Sequence, residues 1–303
     1  MKLFNLFNKT PEFAPILKEY FSHHGRGLKD STIEKHLFYY QNIERFLNEN
    51  YPGIRIGDIR VKHMEHLRTY ILEARACKIG HASRHIEHCK SAFEYALLME
   101  YHDRNPISAI ACQREKLKEP VSLTEAEIKK IMSHSFTSSS WQLTVDLFLF
   151  QSFTGLSFID LWLYKVEVER MGDQVYKWVT GPEGRGKNNK PYHSELNEYA
   201  EAIHNKYDGK FPKITNQFYN RTIKKIAFAL NISKDLSSHN ARKTYATLRW
   251  IQGRSLDSIA DELGNSPEMT RKRYITPGRE RVRNESIRLR DVPLFKKMIP
   301  LST

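Results

Sequence analysis

The run Ser237-Ser-His-Asn-Ala-Arg-Lys-Thr-Tyr-Ala246 decides the fold and the chemistry of this 303-residue chain. A serine at its start can accept hydrogen bonds from the free amides of a helix, and Tyr245, Leu248 and Ile251 then recur at helical spacing. The run therefore predicts a capped amphipathic helix. His239 and Arg242 lie three residues apart in its first turn, where the positive end of the helix dipole favours a phosphate.

Two shorter helices are predicted between this run and Tyr274. One begins near Ser255 and ends at Gly264, which can adopt the left-handed conformation of a helix end. The next begins at Ser266-Pro267, because proline is tolerated at the first helical position. It carries the basic triplet Arg271-Lys-Arg273 and delivers Tyr274.

The ordered set resembles the carboxy-terminal signature of the tyrosine recombinase (phage integrase) family. That signature is His-x-x-Arg, then Leu-Gly-His or Leu-Gly-Trp, then a nucleophilic tyrosine nine residues later. His239-x-x-Arg242, Leu263-Gly264 and Tyr274 match it, and Tyr274 stands nine residues past Asn265. Asn265 occupies the place of the family's His or Trp.

Two alternative interpretations concern the same stretch, one of its fold and one of its nucleophile. Residues 255–274 could form a helix-turn-helix whose basic second helix enters a major groove, but this leaves the His239 and Arg242 pair unexplained. Tyr245 is the rival nucleophile. It falls on the apolar face of its helix, which favours a place in the core.

Basic residues outnumber acidic ones by 48 to 35, and the excess is uneven along the chain. Residues 1–111 hold 16 basic and 13 acidic groups, residues 112–219 hold 14 of each, and residues 220–303 hold 18 against 8. A positive surface around Tyr274 favours a polyanion such as nucleic acid. A membrane partner is not expected, since no sustained apolar helix is present.

The first 110 residues predict an all-helical module. Three apolar stripes at helical spacing mark three helices, and Phe13 to Phe21 forms a weaker fourth. These stripes are Ile33, Leu37, Tyr40, Ile43, Phe46 and Leu47; Val61, Met64, Leu67 and Ile71; and Ile86, Phe93, Ala96 and Leu97. The module resembles the SAM-like core-binding domain of integrases, and Lys35, Arg84 and Lys90 are its candidate phosphate contacts.

Nine of the thirteen histidines precede residue 112. His81, His85 and His88 could share a helix face near Cys89, which makes a metal site conceivable. No second ligand cluster supports it, so neither a metal nor another cofactor is expected. The three cysteines have no metal-ligand spacing and cannot all pair, which fits a reducing cytoplasm.

Residues 111–121 are polar and non-periodic and predict a linker, so the second domain is expected to span residues 122–303. Thr124-Glu-Ala-Glu127 forms a capping box, and Trp141 to Phe153 predicts an apolar helix. The next run, Thr154 to Leu161, resembles the family's Thr-Gly-Leu-Arg-x-x-Glu-Leu. Ser157 occupies the position of its phosphate-clamping arginine, and Asp160 matches the supporting acid.

Two strand-like runs follow, Gln174 to Thr180 and Pro191 to Leu196, joined by a turn-rich connection. Integrases carry a catalytic lysine on such a hairpin. Lys187 is the closest match and Lys190 the reserve. A basic loop that only rests on DNA is the alternative for both residues.

The resemblance implies a mainly helical fold with a small β-sheet, made of a core-binding domain and an α+β catalytic domain. It also implies a site-specific DNA recombinase of a mobile element, an integrase or transposase, acting as a tetramer on two duplexes. Tyr274 would be the nucleophile, with Arg242, His239, Lys187, Asn265 and Ser157 at catalytic positions. Arg185, Lys190, Lys243 and Arg271 are further candidate DNA contacts.

Two other functions remain open at this point. A catalytically impaired relative could act as a DNA-binding accessory or regulatory factor, which Ser157 and Asn265 would favour. A type IB topoisomerase would use the same chemistry on one duplex. The helical amino-terminal module, the run from Thr154 to Leu161, and Leu123 to Glu127, which resembles the Leu-Thr-x-x-Glu start of integrase catalytic domains, favour the recombinase.

Overall fold

A computed structural model describes residues 10–115, 119–181, 192–275 and 278–290, except for the side chains of Arg75, Leu289 and Arg290. The chain divides into two compact units, Met1–Leu117 and Lys118–Thr303. Within the described ranges, none of the helices combines the length and the apolar character that crossing a bilayer requires.

The first unit consists of four helices, as the sequence predicts. They are α1 (Phe13–His24), α2 (Asp30–Asn50), α3 (Val61–Arg75) and α4 (Ile79–Leu98). Their apolar stripes form one core, in which Phe13, Phe46 and Phe93 have no exposed surface. Burial of aromatic side chains of this size is a main source of stability in a small helical domain.

The apolar stripe of α2 is buried only in its second half. Ile43 and Phe46 are fully buried, whereas Ile33 and Leu37 are 41% and 49% exposed. The predicted helix is confirmed, but its first two turns extend past the surface that the other helices of the unit cover.

A histidine cluster lies between α1, α2 and α4 where a metal site was conceivable. His81 and His85 stack with their ring centroids 5.3 Å apart, and His85 Nδ1 lies 3.1 Å from the carbonyl of His81. His88 packs 4.8 Å from the Tyr39 ring. In the described part of the chain, no His, Cys, Asp and Glu side chains are grouped so that they could hold a metal ion. The three cysteines are free thiols.

The second unit contains eight described helices, one of which is apolar and packs against several of the others. They are α5 (Glu125–Met132), α6 (Ser139–Thr154), α7 (Glu198–Lys206), α8 (Asn216–Ala229), α9 (Ser238–Ile251), α10 (Leu256–Glu262), α11 (Pro267–Arg273) and α12 (Arg279–Arg290). Helix α6 packs against α7, α8 and α9, as expected of a helix that is apolar on all sides.

The predicted caps are present at the helix starts. Thr124 and Glu127 form the capping box of α5, and Ser255 and Ser266 accept hydrogen bonds from the first turns of α10 and α11. Proline occupies the first turn of α11. The starts of α5, α10 and α11 are thus fixed by local sequence.

A three-stranded antiparallel sheet interrupts the helices, with the order β1 (Lys165–Met171), β2 (Gln174–Thr180) and β3 (His193–Glu195). Strand β2 has the predicted bounds, and β3 is shorter than predicted. Strand β1 was not predicted. Its charged residues alternate with Val166 and Val168 on a largely exposed strand, so it lacks the apolar enrichment that marks a buried strand.

Candidate active site

Helix α9 places His239 and Arg242 through a capping box of its own. The backbone N–H and the hydroxyl of Ser237 both donate to Asn240 Oδ1, at 2.8 Å and 2.5 Å. The Asn240 amide in turn donates to the carbonyl of Val121, at 2.9 Å. These bonds fix the first turn of the helix and therefore the directions in which its His and Arg side chains leave it.

Arg242 is 8% exposed and is held by two backbone carbonyls from separate segments. Its Nη1 donates to the carbonyl of Gly155, and its Nη2 donates to the carbonyl of Leu263. A guanidinium carries five N–H donors in a planar fork. The two carbonyls therefore orient the fork and leave its remaining donors for an anion.

Gly155 is required at its position for two reasons. Its φ of 72° lies in the left-handed region, which side chains other than glycine adopt at a cost. A Cβ there would also lie 2.7 Å from Tyr245 Cδ1 and 2.9 Å from Leu263 Cδ2. The glycine thus ends α6 and allows the carbonyl of the same residue to reach Arg242.

Tyr274 follows the last residue of α11 and meets both candidate residues of α9. Its ring centroid lies 5.2 Å from that of His239, in an edge-on arrangement, and 5.5 Å from the guanidinium carbon of Arg242. The rival Tyr245 is 1% exposed, and its hydroxyl donates to Glu262 at 2.9 Å. The prediction that Tyr245 belongs to the core is confirmed.

His239 is exposed as a residue, but its ring lies against Tyr274 and among basic side chains. Partial burial of the ring, followed by the positive charges of Lys243, Arg242 and Arg273, lowers the pKa of His239 to about 4. Its imidazole is therefore neutral at pH 7 and can accept a hydrogen bond or a proton. Arg273, which sequence reasoning did not single out, belongs to this cationic surrounding.

Ser157 occupies the position of the family's arginine but has no charged group to offer a phosphate. Its hydroxyl and its backbone N–H both donate to Asp160 Oδ2, the latter at 3.3 Å, and so cap a short 3₁₀ turn, Phe158–Trp162. Asp160 itself is 6% exposed. The serine and the acid thus form a local cap beside Gly155, where the family pattern has an arginine.

Asn265 offers an uncharged donor next to the second carbonyl. Gly264, at a φ of 60°, turns the chain after α10, and the Asn265 N–H closes that turn on the carbonyl of Ala260 at 2.8 Å. The side-chain Nδ2 is buried and has no hydrogen-bond partner among the described residues. A buried amide without a partner is costly, so it is available to an incoming acceptor.

Strand β3, which follows the β2–β3 connection, contacts the segment that ends at Gly155. Thr180 pairs with His193 at the base of that connection. The Ser194 hydroxyl donates to the carbonyl of Thr154, at 2.6 Å, one residue before Gly155. The predicted Lys187, with Arg185 and Lys190, lies outside the described residues.

The other candidate DNA contacts are spread over both units. In the second unit, Lys243 is half-buried, which lowers its pKa, and Arg271 is exposed on α11. In the first unit, Lys35 and Arg84 are exposed, whereas Lys90 Nζ donates to the carbonyl of Ile110 at 3.0 Å. Lys90 is thus engaged within its own unit, which a sequence pattern could not reveal.

Comparisons with known proteins agree with this geometry. Residues 12–114 match the family model of the phage integrase SAM-like domain. A tyrosine recombinase of Pseudothermotoga lettingae is 27% identical over 269 residues, which cover 83% of this chain and 89% of that protein. The chain is thus similar to a tyrosine recombinase over most of its length, and its first unit matches the phage integrase SAM-like domain.

Solved recombinase structures share the fold across both units. The integrase of transposon Tn1549, in complex with a circular intermediate DNA, matches with a TM-score of 0.67 at 17% identity, covering 92% of this chain and 99% of that one. A lambda integrase dimer bound to a core site matches with a TM-score of 0.63 at 19% identity, covering 85% and 93%. The fold class predicted from the sequence, mainly helical with a small sheet, is confirmed.

Proposed function

We propose that this chain is a tyrosine recombinase, a site-specific DNA strand transferase of a mobile element, with Tyr274 as its nucleophile. The contact of the Tyr274 ring with both His239 and Arg242 carries the proposal. A phenol, a neutral imidazole and an oriented guanidinium can supply the nucleophile, the proton acceptor and the charge stabilisation that phosphodiester exchange needs.

The proposed cleavage step uses each group once. Tyr274 Oη attacks the phosphorus, and its proton passes to the neutral imidazole of His239 as the new O–P bond forms. Arg242 binds two non-bridging oxygens, whose charge increases in the transition state. The P–O5′ bond breaks, and Lys187 donates a proton to the departing 5′ oxygen. The 3′-phosphate remains on Tyr274, and a second strand's 5′-hydroxyl reverses the step.

Asn265 and Ser157 have weaker parts in this site. The free Nδ2 donor of Asn265 can bond a phosphate oxygen, without the charge that a protonated histidine would add. The hydroxyl of Ser157 is directed to Asp160, so a second cation has to come from elsewhere. Arg185 and Lys190 are our candidates, because the base of their connection is anchored by Ser194 next to Gly155.

Lys187 is the proposed general acid, and Lys190 is the second candidate. The position of the β2–β3 hairpin supports both. The family pattern places the lysine on this hairpin, and the bond from Ser194 to the carbonyl of Thr154 fixes one strand of the hairpin close to the carbonyl that holds Arg242. This supports a lysine of the connection as the proton donor to the 5′ oxygen.

Double-stranded DNA is the proposed substrate and partner. The 18 basic and 8 acidic residues of positions 220–303 favour a polyanion near Tyr274. The Tn1549 and lambda relatives were solved with DNA, one of them as a lambda integrase tetramer bound to a Holliday junction. We infer that this chain likewise assembles as a tetramer on two sites, and that it works in the cytoplasm.

A groove on the second unit supports self-association. It has a volume of about 640 Å³ and lies between α5, the end of α6, the end of α9 and the start of α12. Met132 and Tyr199, which line it, are 40% and 51% exposed. The family resemblance implies that a terminal segment docks on the catalytic domain of a neighbouring subunit, and packing of that segment on its own unit is the alternative. The apolar tail Leu294, Phe295, Met298 and Ile299, outside the described residues, is the segment we assign to this groove.

The test is a denaturant-resistant adduct with nicked DNA. The substrates are duplexes from the ends of the mobile element that carries the coding sequence. Each has a nick near the cleavage site, so that the short fragment with the new 5′-hydroxyl diffuses away and the phosphotyrosine is trapped. We expect the wild type to form the adduct and Tyr274→Phe to form none while binding the duplex as before, since only one hydroxyl is removed.

The matched control is Tyr245→Phe, which removes the hydroxyl of the other tyrosine near Arg242. It should lose roughly 1 kcal/mol of stability with its bond to Glu262 but keep the adduct. An adduct that persists in Tyr274→Phe would move the nucleophile to another residue. If the wild type binds the duplexes but never forms an adduct, the DNA-binding accessory factor replaces the enzyme.

A further inference from the structure

Helix α9 contacts Tyr274 at its backbone as well as at its ring. The hydroxyl of Thr247 donates to the carbonyl of Tyr274, at 3.1 Å. Thr247 is 5% exposed and lies five residues after Arg242 on the same helix. The donor is therefore largely shielded from water, and the helix that places His239 and Arg242 also holds the main chain of the proposed nucleophile.

The other described contacts near this carbonyl act on the Tyr274 N–H, on its ring and on the next residue. The Tyr274 N–H donates to the carbonyl of Thr270 at 3.0 Å, which is the last bond of a seven-residue helix. Helix ends of this length fray readily. Ile275, 5% exposed, anchors the next residue in the small cluster with Tyr245 and Leu263. The Tyr274 carbonyl thus lies between the end of α11, which can fray, and the buried Ile275.

We propose that Thr247 is a positioning residue, whose hydroxyl fixes the Tyr274 carbonyl and so keeps the phenol ring against Arg242 and His239. The inference rests on the proposed function for its kinetic consequence, but its structural consequence is independent of it. A threonine suits the task because its β-branched side chain has few rotamers in a helix, so a buried hydroxyl keeps one direction.

The experiment compares Thr247→Val, which has the same shape without the donor, with Thr247→Ser, which keeps the donor and loses the methyl group. Hydrogen–deuterium exchange of the peptide that covers residues 270–275 is measured in the full chain without DNA. We expect exchange to be about 2- to 10-fold faster in Thr247→Val, the range that one net hydrogen bond gives, and close to wild type in Thr247→Ser.

The matched control is Thr144→Val. Thr144 is a buried threonine of α6 whose hydroxyl donates to the carbonyl of Ser140 at 2.8 Å, away from Tyr274. It should leave the exchange of residues 270–275 unchanged. Should the valine protein at 247 fail to fold, as judged by its thermal unfolding, Thr247→Ala is the second donor-free variant.

The kinetic arm uses single-turnover cleavage of nicked duplex. Thr247→Val should lower the cleavage rate constant about 2- to 10-fold with the Kd for DNA unchanged, and Thr247→Ser should restore the rate. Exchange that is the same in Thr247→Val and wild type would overturn the inference, as would a serine variant that behaves like valine. If exchange responds as expected but no protein forms an adduct, the positioning role stands and the proposed function fails.

Discussion

At the residue scale, the least expected feature is the use of two backbone carbonyls to orient one arginine. The Thr-Gly-Leu and Leu-Gly motifs supply the carbonyls of Gly155 and Leu263, and both accept from Arg242. A carbonyl has no residue type, so the sequence could point to the motifs but not to this role. The glycine is explained by its neighbours Tyr245 and Leu263, which leave no room for a Cβ.

Gly155→Ala should therefore damage both stability and the site. The added methyl group meets two fully buried side chains, and the backbone keeps a left-handed φ. Together these effects should cost roughly 2–4 kcal/mol, measured by urea unfolding. Gly172→Ala is the control, since that glycine also has a positive φ, of 61°, but no atom within 4 Å of a Cβ. Equal losses in the two variants would show that strain alone, and not the contact with Tyr245, requires Gly155.

Ser157→Arg tests whether the missing guanidinium limits the rate. A donor aimed at transition-state charge is worth on the order of 10²–10³ in rate, so we expect faster cleavage of nicked duplex if the space beside Arg242 is unfilled. The variant also loses the bond to Asp160, and Ser157→Ala, which loses the bond without gaining the charge, is the control.

An unchanged or slower rate in Ser157→Arg would mean that another cation already reaches the phosphate. Arg185→Ala then separates the cases. If Arg185 is that cation, Arg185→Ala alone should be slow, and adding Ser157→Arg to it should restore the rate. If the double variant stays slow, Arg185 is not the substitute.

At the element scale, the elements with local signals could be predicted and the others could not. Helices α9, α10 and α11 have serine caps and a glycine or proline at the correct place, and they were predicted nearly to the residue. Strand β1 and helices α7, α8 and α12 were not predicted; α12 is a run of mostly charged residues with no apolar stripe. Strand β1 is mostly exposed, and helices α7 and α8 have caps and short apolar stripes but no motif that marks their function.

The candidate site follows the same division. His239, Arg242 and Tyr274 come together because three capped helices fix their spacing. Thr247 could not be found in advance, because its partner is the main chain of a residue 27 positions away. The exposure of the first half of α2 could not be predicted either, since apolar spacing shows which residues share a face but not how much of that face another helix covers.

The histidine cluster of the first unit predicts a loss of stability in acid. His88 of α4 packs against Tyr20, Phe21, His24, His36 and Tyr39 from α1 and α2. Burial, then the charges of His36, His85 and His24, lowers the pKa of His88 to about 4, and the pKa of His36 is lowered by burial and by His24. A free histidine has a pKa of about 6.5.

The unfolded chain therefore binds more protons than the folded unit between pH 6.5 and pH 4, and stability falls as the pH is lowered through this window. The contribution of His88 should be roughly 2–3 kcal/mol, fully present above pH 7 and lost by pH 4. His88→Gln should flatten the pH dependence, and the exposed His23→Gln should not. All four tryptophans lie in the second unit, so hydrogen exchange of α1, α2 and α4 is the suitable measurement. An unchanged slope in His88→Gln would contradict the assignment.

At the scale of the whole molecule, the two units differ in what they offer a partner. The first is nearly balanced in charge, whereas most of the basic excess lies in residues 220–303 of the second. The second unit also has the groove, which includes Thr247 in its lining. A segment seated in the groove would therefore contact the residue that holds the Tyr274 carbonyl.

Removal of residues 291–303 tests whether the groove takes a neighbour's tail. We expect the truncated chain to bind a single duplex as the wild type does, because the truncation leaves α9, α11 and α12 in place. It should fail to form the tetramer on two duplexes, measured by the mass of the protein–DNA complex in sedimentation equilibrium.

Met132→Glu should have the same effect, since a carboxylate in an apolar contact is costly. Val168→Glu, at a comparably exposed residue of β1 outside the groove, should not. A mixture of the two variants is the complementation test: the truncated chain keeps its groove and Met132→Glu keeps its tail, so together they should form mixed dimers on DNA with one functional docking contact. If the truncated chain assembles and exchanges strands like the wild type, the tail packs on its own unit or has no role in assembly.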